Sequence, residues 1–225
     1  MLYNLFLKAV SFIYPARYKT YHSDYSGILE LTYYNGKLVL DTKHTNYSYG
    51  NLQKILDQSI NKIYTKNFEK LNQILVLGVA GGSVIETLYK KYHYKGIVDA
   101  VDIDPLIITI AKTYFKINEF KNCNLIIADA QKYVEDCSKK YDLIIVDLFI
   151  DDQIPVFVFQ KSFIKNIKFI LEVNGFIIFN TTTLANNKNK INSFLLDNFN
   201  EKFNVTVLDK IDPFNILYLI QKMDG

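Results

Sequence analysis

From residue 72 onward, short and wholly apolar runs alternate with segments in which apolar residues recur at helical spacing. Strands that are apolar on both faces belong to a parallel sheet that helices cover on both sides. The sequence therefore predicts an α/β fold built on a Rossmann-like parallel sheet. The predicted strands are 74–77, 97–101, 125–127, 143–146 and 176–179, and the predicted helices lie near 83–92, 105–115, 130–138, 159–171 and 188–199.

The two ends of the chain depart from this alternation. Near the C-terminus, the apolar runs 203–208 and 214–220 follow each other without a helix between them, which predicts an antiparallel hairpin at the end of the sheet. Toward the N-terminus, Asn35-Gly36 separates two runs that start at Gly27 and Lys37. Asn-Gly between two such runs indicates a second β-hairpin.

These patterns divide the chain into two parts. We expect residues 1–50 to form an N-terminal segment with a small β-hairpin, and residues 51–225 to form the Rossmann-like domain. The second part opens with apolar residues at helical spacing from about 51 to 64, which predicts a helix there.

Composition restricts the class of protein further. With 225 residues, of which 49% are hydrophobic, the chain is long enough to bury a full core without disulfide bonds. The two cysteines, Cys123 and Cys137, fit a reduced interior. A net charge of +3 with Arg17 as the single arginine argues against a nucleic-acid partner.

The first 14 residues are apolar but short, and Asn4 and Lys8 interrupt them. The segment lacks the charge pattern and cleavage site of a signal peptide and the length of a membrane span. We therefore expect a helix that packs on the body or on a partner subunit, no membrane association and a cytoplasmic location. No metal is expected, because the three histidines stand in unrelated segments.

The residues that can bind a ligand or take part in a reaction lie at the ends of the predicted strands. The first strand runs into Gly78-Val79-Ala80-Gly81-Gly82 and then a helix, a turn that lets the backbone approach a ligand. The spacing of its glycines differs from the dinucleotide-binding pattern G-x-G-x-x-G.

Acidic residues follow the next three strands. Asp102 can accept both hydroxyls of a ribose, whereas Asp104, followed by Pro105, is expected to cap a helix. Asp129 either accepts a hydrogen bond from an adenine amino group or caps the next helix. Asp147 ends the fourth strand and can orient or deprotonate a nucleophile. All these tips meet at the carboxyl edge of the sheet, where open sheets bind ligands.

Residues 26 to about 180 resemble the spermidine synthase family, a branch of the class I S-adenosylmethionine-dependent methyltransferase fold. The resemblance rests on GILELTYYNGKLVLD, ILVLGVAGGSVIETL, VDAVDIDP, LIIADAQKYV and YDLIIVDLF, in the family's order and separations. It implies S-adenosylmethionine or its decarboxylated form as cofactor and a small-molecule acceptor. It also implies an assembly through the hairpin side, so a homodimer is an expectation.

The resemblance implies a role for each matching residue. The catalytic acid would be Asp147, and Asp102 would hold the ribose while Asp129 holds the adenine amino group. The remaining cofactor-binding candidates are the glycine-rich turn and the neighbours of the two acids, namely Gly78, Val79, Ala80, Gly81, Gly82, Ile103 and Ala130.

The chain departs from the family pattern on the acceptor side. Aminopropyltransferases of the family carry G-G-G-D-G after the first strand, and Gly81 stands where that aspartate would face the free amine of the decarboxylated cofactor. Loss of this charge favours the intact cofactor. The second acid of the family's D-S-S-D-P loop falls at Ile150. The acceptor-binding candidates are therefore Tyr49, Phe149 and the displaced acids Asp151 and Asp152.

Three functions are compatible with this pattern. The first is a methyltransferase that acts on a small acceptor, which Gly81 favours. The alternative is an aminopropyltransferase that makes a polyamine from decarboxylated S-adenosylmethionine. Asp147, Asp151 and Asp152 would then form an acidic entrance to the acceptor site. The third is a nucleoside-binding module without catalysis, which the loss of the acceptor-side motifs would explain.

Overall fold

The computed structural model describes residues 2–42, 56–63, 68–150, 153–182, 188–208 and 215–224. Within these ranges the chain forms a three-stranded antiparallel sheet and a mostly parallel seven-stranded sheet. The strands are β1 (Ala16–Ser23), β2 (Gly27–Tyr34), β3 (Lys37–Thr42), β4 (Gln73–Leu77), β5 (Ile97–Asp102), β6 (Cys123–Ile127), β7 (Tyr141–Val146), β8 (Leu171–Thr182), β9 (Phe203–Leu208) and β10 (Asn215–Lys222).

Helices connect the parallel strands and cover both faces of the large sheet. They are α1 (Leu2–Val10), α2 (residues 56–63), α3 (Ser83–Glu86, continued by a wider turn over Thr87–Lys91), α4 (Pro105–Phe115), α5 (Ala130–Asp136), α6 (Lys161–Ile170) and α7 (Lys188–Asn198). Short 3-10 turns cover Phe68–Lys70, Ile117–Glu119 and Val156–Phe159. The predicted alternation of strands and helices is confirmed. Part of the helix predicted from about 51 to 64 lies outside the described residues.

The order of strands in the large sheet is β6-β5-β4-β7-β8-β10-β9. The strand β4 pairs in parallel with both β5 and β7, so the chain changes direction across the sheet between β4 and β7. The C-terminal strands pair antiparallel, as predicted, and β10 lies between β8 and β9. The change of direction opens a crevice at the carboxyl ends of β4 and β7, which is where open α/β sheets bind ligands.

Burial on both faces explains the uninterrupted apolar strands. In β4, Ile74 and Val76 pack into the layer that contains α4, whereas Leu75 and Leu77 pack into the layer that contains α6. Successive side chains of a strand point to opposite faces, so each layer needs its own apolar residues. The site at the end of β4 thus rests on a strand that is held from both sides.

The small sheet contains the predicted hairpin of β2 and β3 and a strand that the sequence did not indicate. Most of the β1 side chains are polar or tyrosine, and Ala16 is its single buried residue. Its pairing with β2 gives it an extended backbone despite the weak apolar pattern. The turn between β1 and β2 reaches the carboxyl edge of the large sheet, as described below.

The N-terminal helix α1 contacts β1 and β2, and Leu7 is its buried residue. The backbone N–H of Gly36 donates to Ser11 Oγ at 2.9 Å, which joins the helix end to the β2–β3 turn. Leu2, Phe6 and other apolar side chains of this segment remain exposed. Among the described residues, no helix is both long enough and apolar enough to cross a bilayer.

Candidate active site

A cavity of about 200 Å³ opens at the carboxyl edge of the large sheet, at the crevice between β4 and β7. Residues from the ends of six strands, from the segment after β7 and from the β1–β2 turn form its wall. They are Tyr25, Ser26, Gly78, Ala80, Val101, Asp102, Ile103, Asp129, Ala130, Asp147, Leu148, Phe149, Ile150, Pro155, Phe157, Asn180 and Asn215.

The turn after β4 passes very close to the end of β7. Gly78 has a φ of +95°, and a Cβ at this position would lie 2.1 Å from the carbonyl oxygen of Asp147. Only glycine satisfies both the left-handed backbone and this contact. The bare backbone at Gly78 is therefore what brings the turn and Asp147 together on one wall.

Only part of the glycine-rich turn faces the cavity. Of the cofactor-binding candidates in this turn, Gly78 and Ala80 line the cavity, whereas Val79, Gly81 and Gly82 are not among its lining residues. The side chain of Val79 is buried in the core, and a Cβ on Gly82 would point at Ile117. The turn therefore contributes to the cavity wall through two of its five residues.

Asp102 has a structural role in addition to its place on the cavity wall. One carboxylate oxygen accepts the backbone N–H of Val79 at 2.9 Å, and the other accepts that of Asp104 at 2.9 Å. Burial raises the pKa of Asp102, while these backbone amides act against that shift. A carboxylate has about four lone-pair sites, so two bonds leave capacity for a ligand hydroxyl. The same side chain can therefore fix the turn and contact a ribose.

Asp104 links three parts of the fold. Its Oδ1 accepts the backbone N–H of Leu106 at 2.8 Å, which confirms the predicted helix cap with Pro105 at the first position of α4. Its Oδ2 accepts the hydroxyls of Ser23 and Ser26 at 2.5 and 2.7 Å. These bonds hold the β1–β2 turn against the large sheet.

The anchored turn adds two residues to the wall that the sequence did not single out, Tyr25 and Ser26. Their contact with the large sheet joins residues about 80 positions apart in the chain, namely Ser26 and Asp104. No local pattern reports such a contact. The serines around Tyr25 were the available signal, because they provide short donors next to a turn.

Asp129, at the third strand tip, has one of the two roles that the sequence left open and lies where the other would be possible. Asp129 caps α5, since its carboxylate accepts the backbone N–H of Lys132 at 2.9 Å, and it also lines the cavity. Ile103 and Ala130 line the cavity beside the acids, as expected. The capping bond leaves further acceptor sites on the Asp129 carboxylate for a ligand.

Asp147 lies at the centre of the crevice, one residue beyond β7. Its Oδ1 accepts a hydrogen bond from Asn180 Nδ2 at 2.8 Å, and Asn180 lies near the end of the adjacent strand β8. Burial raises the pKa of Asp147 to about 6, and the Asn180 bond lowers it in part. A carboxyl group with a pKa near neutrality is suited to general acid–base chemistry.

The wall beyond Asp147 is largely apolar. Leu148, Phe149, Ile150, Pro155 and Phe157 follow β7 and form this side of the cavity. Phe149 is therefore placed at the site as expected. Three other acceptor-side candidates, Tyr49, Asp151 and Asp152, lie outside the described residues.

Asn180 is the residue most relevant to Asp147 that the sequence reasoning missed. It directly follows the predicted strand 176–179, so it is a polar side chain at the carboxyl end of an apolar run. That is the same signal that identified Asp102, Asp129 and Asp147. An amide at a strand tip thus follows the same pattern as the three acids.

The cavity wall presents hydrogen-bond acceptors from two neighbouring strand ends. The acids Asp102 and Asp129 stand at neighbouring strand ends, and Gly78 lines the cavity beside them. Sheet order, cavity and acids together define a Rossmann-like fold of the class I methyltransferase type. The chain belongs to a family within that class, because residues 53–209 match the family model of the spermine/spermidine synthase domain.

Named relatives agree with this family. A polyamine aminopropyltransferase of Vibrio vulnificus is 32% identical over 118 residues, which cover 50% of this chain and 38% of the relative. A polyamine aminopropyltransferase of Sulfolobus acidocaldarius is 32% identical over 142 residues, which cover 59% of this chain and 43% of the relative. The matches thus span less than half the length of either relative.

Solved structures show the same fold. A probable spermidine synthase from Corynebacterium glutamicum superposes with a TM-score of 0.70 and 16% identity, over 91% of this chain and 79% of that one. Human methyltransferase-like protein 13 in complex with SAH superposes with a TM-score of 0.61 and 23% identity, over 79% and 84%. Both enzyme types in the class therefore share this architecture.

Proposed function

We propose that this protein is a transferase that takes a carbon group from a sulfonium nucleoside related to S-adenosylmethionine and gives it to a small-molecule acceptor. The observation that carries the proposal is Asp147. This carboxyl group lies on the cavity wall beside the glycine-rich turn, and burial raises its pKa to about 6. It is placed to receive a proton from an acceptor that attacks the donor at the crevice.

Each polar group on the wall has a part in this proposal. Asp102 would accept the ribose hydroxyls and Asp129 the adenine amino group, while Gly78 and Ala80 let the donor approach the backbone. A sulfonium carbon is electrophilic without further activation. The protein's main contribution is therefore to align donor and acceptor and to exclude water, and the apolar residues after β7 serve the second purpose.

The transferred group is proposed to be aminopropyl. The named relatives are polyamine aminopropyltransferases, and the family match covers the region that contains the cavity. Aminopropyl transfer, which the sequence left as the alternative, is therefore ranked above methyl transfer. The donor would then be decarboxylated S-adenosylmethionine.

Methyl transfer from the intact cofactor is the second candidate, and Gly81 is the observation that favours it. In aminopropyltransferases of the family, an aspartate at this position faces the amine of the decarboxylated donor, and here the position is glycine. Opposite charges about 4 Å apart near a surface interact by a few kcal/mol, so the loss of one weakens the preference for that donor.

A comparison of the two donors tests both candidates. Purified protein is incubated with putrescine and either decarboxylated or intact S-adenosylmethionine, and the nucleoside product is quantified. Release of 5′-methylthioadenosine from the decarboxylated donor supports aminopropyl transfer, and release of S-adenosylhomocysteine from the intact donor supports methyl transfer. Binding of both donors without turnover, across a panel of small amines, would contradict the proposal and favour a non-catalytic module.

A further inference from the structure

The helix α1 carries apolar residues on the face that packs against the small sheet and also on the opposite face. Leu7 belongs to the packed face and is buried. The backbone N–H of Ser11 donates to the Leu7 carbonyl at 2.9 Å, and that of Tyr14 donates to the Val10 carbonyl at 3.1 Å, so helical spacing extends beyond Val10. Residues three and four positions apart therefore share a face up to about residue 14.

Five large apolar residues recur at this spacing on the face that points away from the small sheet. We call them the outer stripe, and each is between 63% and 92% exposed: Leu2, Leu5, Phe6, Phe12 and Ile13. Single exposed apolar residues are common, but a contiguous apolar patch indicates a surface that another structure covers. A helix that is apolar on both faces is normally enclosed on both.

Positive charge borders the outer stripe. Lys8 is the single charged residue of α1, and it is exposed. Lys37 is exposed next to the β2–β3 turn, which a hydrogen bond joins to the end of the helix. No aspartate or glutamate occurs between residues 2 and 23. Arg17 adds little net charge, because it forms an ion pair with Glu30 at 2.7 Å.

Tyrosines stand beside the same stripe. Tyr3, Tyr14 and Tyr34 are 61%, 74% and 53% exposed, and Tyr34 precedes the β2–β3 turn. A tyrosine ring combines an apolar body with a hydroxyl group, which suits the boundary between lipid head groups and acyl chains. Apolar residues, tyrosines and lysines without acids are together complementary to a lipid surface of negative charge.

We propose that α1 is an interfacial helix that binds the surface of an anionic lipid bilayer. The outer stripe inserts at the level of the head groups, and Lys8 and Lys37 contact the lipid phosphates. The expectation of no membrane association rested on the length that a membrane span requires. An interfacial helix lies in the plane of the surface, so that length does not apply to it.

The position of α1 leaves the cavity accessible on a bound protein. The pairing of β1 with β2 runs from Ala16 and Tyr33, at the end near α1, to Ser23 and Gly27, at the turn that contributes to the cavity wall. A strand rises about 3.3 Å per residue, so roughly 20 Å separate the two ends. The inference is therefore independent of the proposed function, and its test needs no turnover.

Flotation with lipid vesicles tests the inference on the full chain. The vesicles consist of phosphatidylcholine alone or of phosphatidylcholine and phosphatidylglycerol in a two-to-one ratio. We expect the wild type to bind the mixed vesicles at least about tenfold more strongly than the neutral ones, because two lysines meet anionic lipid. Lys8→Gln should weaken binding to the mixed vesicles by roughly fivefold and leave binding to the neutral ones unchanged.

Phe6→Ser tests the apolar contact, and Phe169→Ser is its matched control. Both phenylalanines lie on helices, and they are 63% and 62% exposed. We expect Phe6→Ser to weaken binding to the mixed vesicles at least about tenfold, and Phe169→Ser to bind like the wild type. Thermal unfolding checks that each variant folds, and Leu5→Ser replaces Phe6→Ser if that variant does not.

Three results would overturn the inference. The first is a wild type that does not float with the mixed vesicles. The second is an equal loss of binding in Phe6→Ser and Phe169→Ser, which would mean that the position of the apolar residue does not matter. The third comes from sedimentation equilibrium without lipid: a dimer that Phe6→Ser dissociates and that does not bind vesicles would show that a second copy of the chain covers the outer stripe.

Discussion

Gly78 lies directly against Asp147, so that a Cβ on the glycine would meet the aspartate's carbonyl oxygen at 2.1 Å. The contact joins the turn after β4 to the residue after β7, the two strands between which the chain changes direction across the sheet. The proposed nucleoside site and the proposed catalytic carboxyl group are thereby placed side by side by backbone packing, without a side chain between them.

This contact predicts a severe effect of Gly78→Ala. The new methyl group cannot occupy the position of the Asp147 carbonyl, so the turn or the end of β7 must move. We expect at least roughly a hundredfold loss of affinity for 5′-methylthioadenosine, measured by calorimetry, because ligand alignment at the crevice depends on both segments.

Gly27→Ala is the matched control for this variant. Gly27 also has a positive φ, of +68°, but no atom lies within 4 Å of a Cβ built on it. Gly27→Ala places an alanine at a positive φ, which costs about 1 kcal/mol or more of stability, but it creates no clash. An equal loss of nucleoside affinity in both variants would show that strain alone, and not the contact with Asp147, explains the effect.

The raised pKa of Asp147 predicts the pH dependence of turnover. The ionised carboxylate is the form that accepts a proton, so kcat/KM should fall as the pH drops below about 6. Asp147→Asn should reduce turnover by roughly 10²- to 10⁴-fold and remove this break, while the rise due to deprotonation of the amine substrate remains. A break near pH 6 that persists in the variant would assign it to another group.

The same pKa predicts an effect on stability with a defined sign. Burial raises the pKa of Asp147 from 3.8, the ordinary value for an aspartate, to about 6, so the folded state binds the proton more tightly than the unfolded chain. The contribution to stability is therefore complete below about pH 4 and is lost as the pH rises through 6.

Asp147→Asn has no such proton to lose. At pH 8 its free energy of unfolding should exceed that of the wild type by about 1 to 3 kcal/mol, and the difference should shrink toward pH 4. Thermal unfolding at the two pH values measures this. A variant that is less stable than the wild type at pH 8 would show that the charged carboxylate has favourable partners that outweigh its burial.

The hydrogen bonds of Asp104 predict that the loss of its side chain lowers stability more than the loss of the Asp129 side chain. Asp104→Ala removes a cap and the acceptor for Ser23 and Ser26, whereas Asp129→Ala removes one capping bond. A cap contributes about 1 kcal/mol, and each further hydrogen bond about 1 kcal/mol. We expect losses of about 3 and about 1 kcal/mol in urea unfolding without ligand. Equal losses would mean that the β1–β2 turn is held by other contacts.

The parts of the fold that were predictable are those with a local signal. The strands of the large sheet were found because burial on both faces requires continuous apolar runs, as in 74–77 and 143–146. Asp102, Asp129 and Asp147 were found on the cavity wall because carboxyl ends of parallel strands meet at one edge.

The parts that were missed depend on contacts between distant segments. β1 is defined by pairing with β2 more than by its own side chains, and Tyr25 reaches the cavity because Ser23 and Ser26 bind Asp104. Which residues of the glycine-rich turn face the cavity and which face the core depends on backbone dihedral angles that the sequence does not specify. Val79, for example, is a cofactor-binding candidate by its place in the turn, and the structure packs its side chain into the core.

The proposed contact of Asp102 with a ribose is testable by combining a variant with a ligand analogue. Its carboxylate already accepts two backbone N–H groups, so Asp102→Asn places an amide donor against one of them and should lower stability as well as affinity. A loss of affinity in the variant alone therefore does not identify a ribose contact. We expect removal of the 2′-hydroxyl from 5′-methylthioadenosine to weaken binding to the wild type about tenfold, and to have little further effect in Asp102→Asn. The four dissociation constants form a double-mutant cycle that isolates the shared interaction from the structural one. If the deoxy analogue loses the same factor with both proteins, the ribose is held elsewhere and Asp102 serves only to fix the turn after β4.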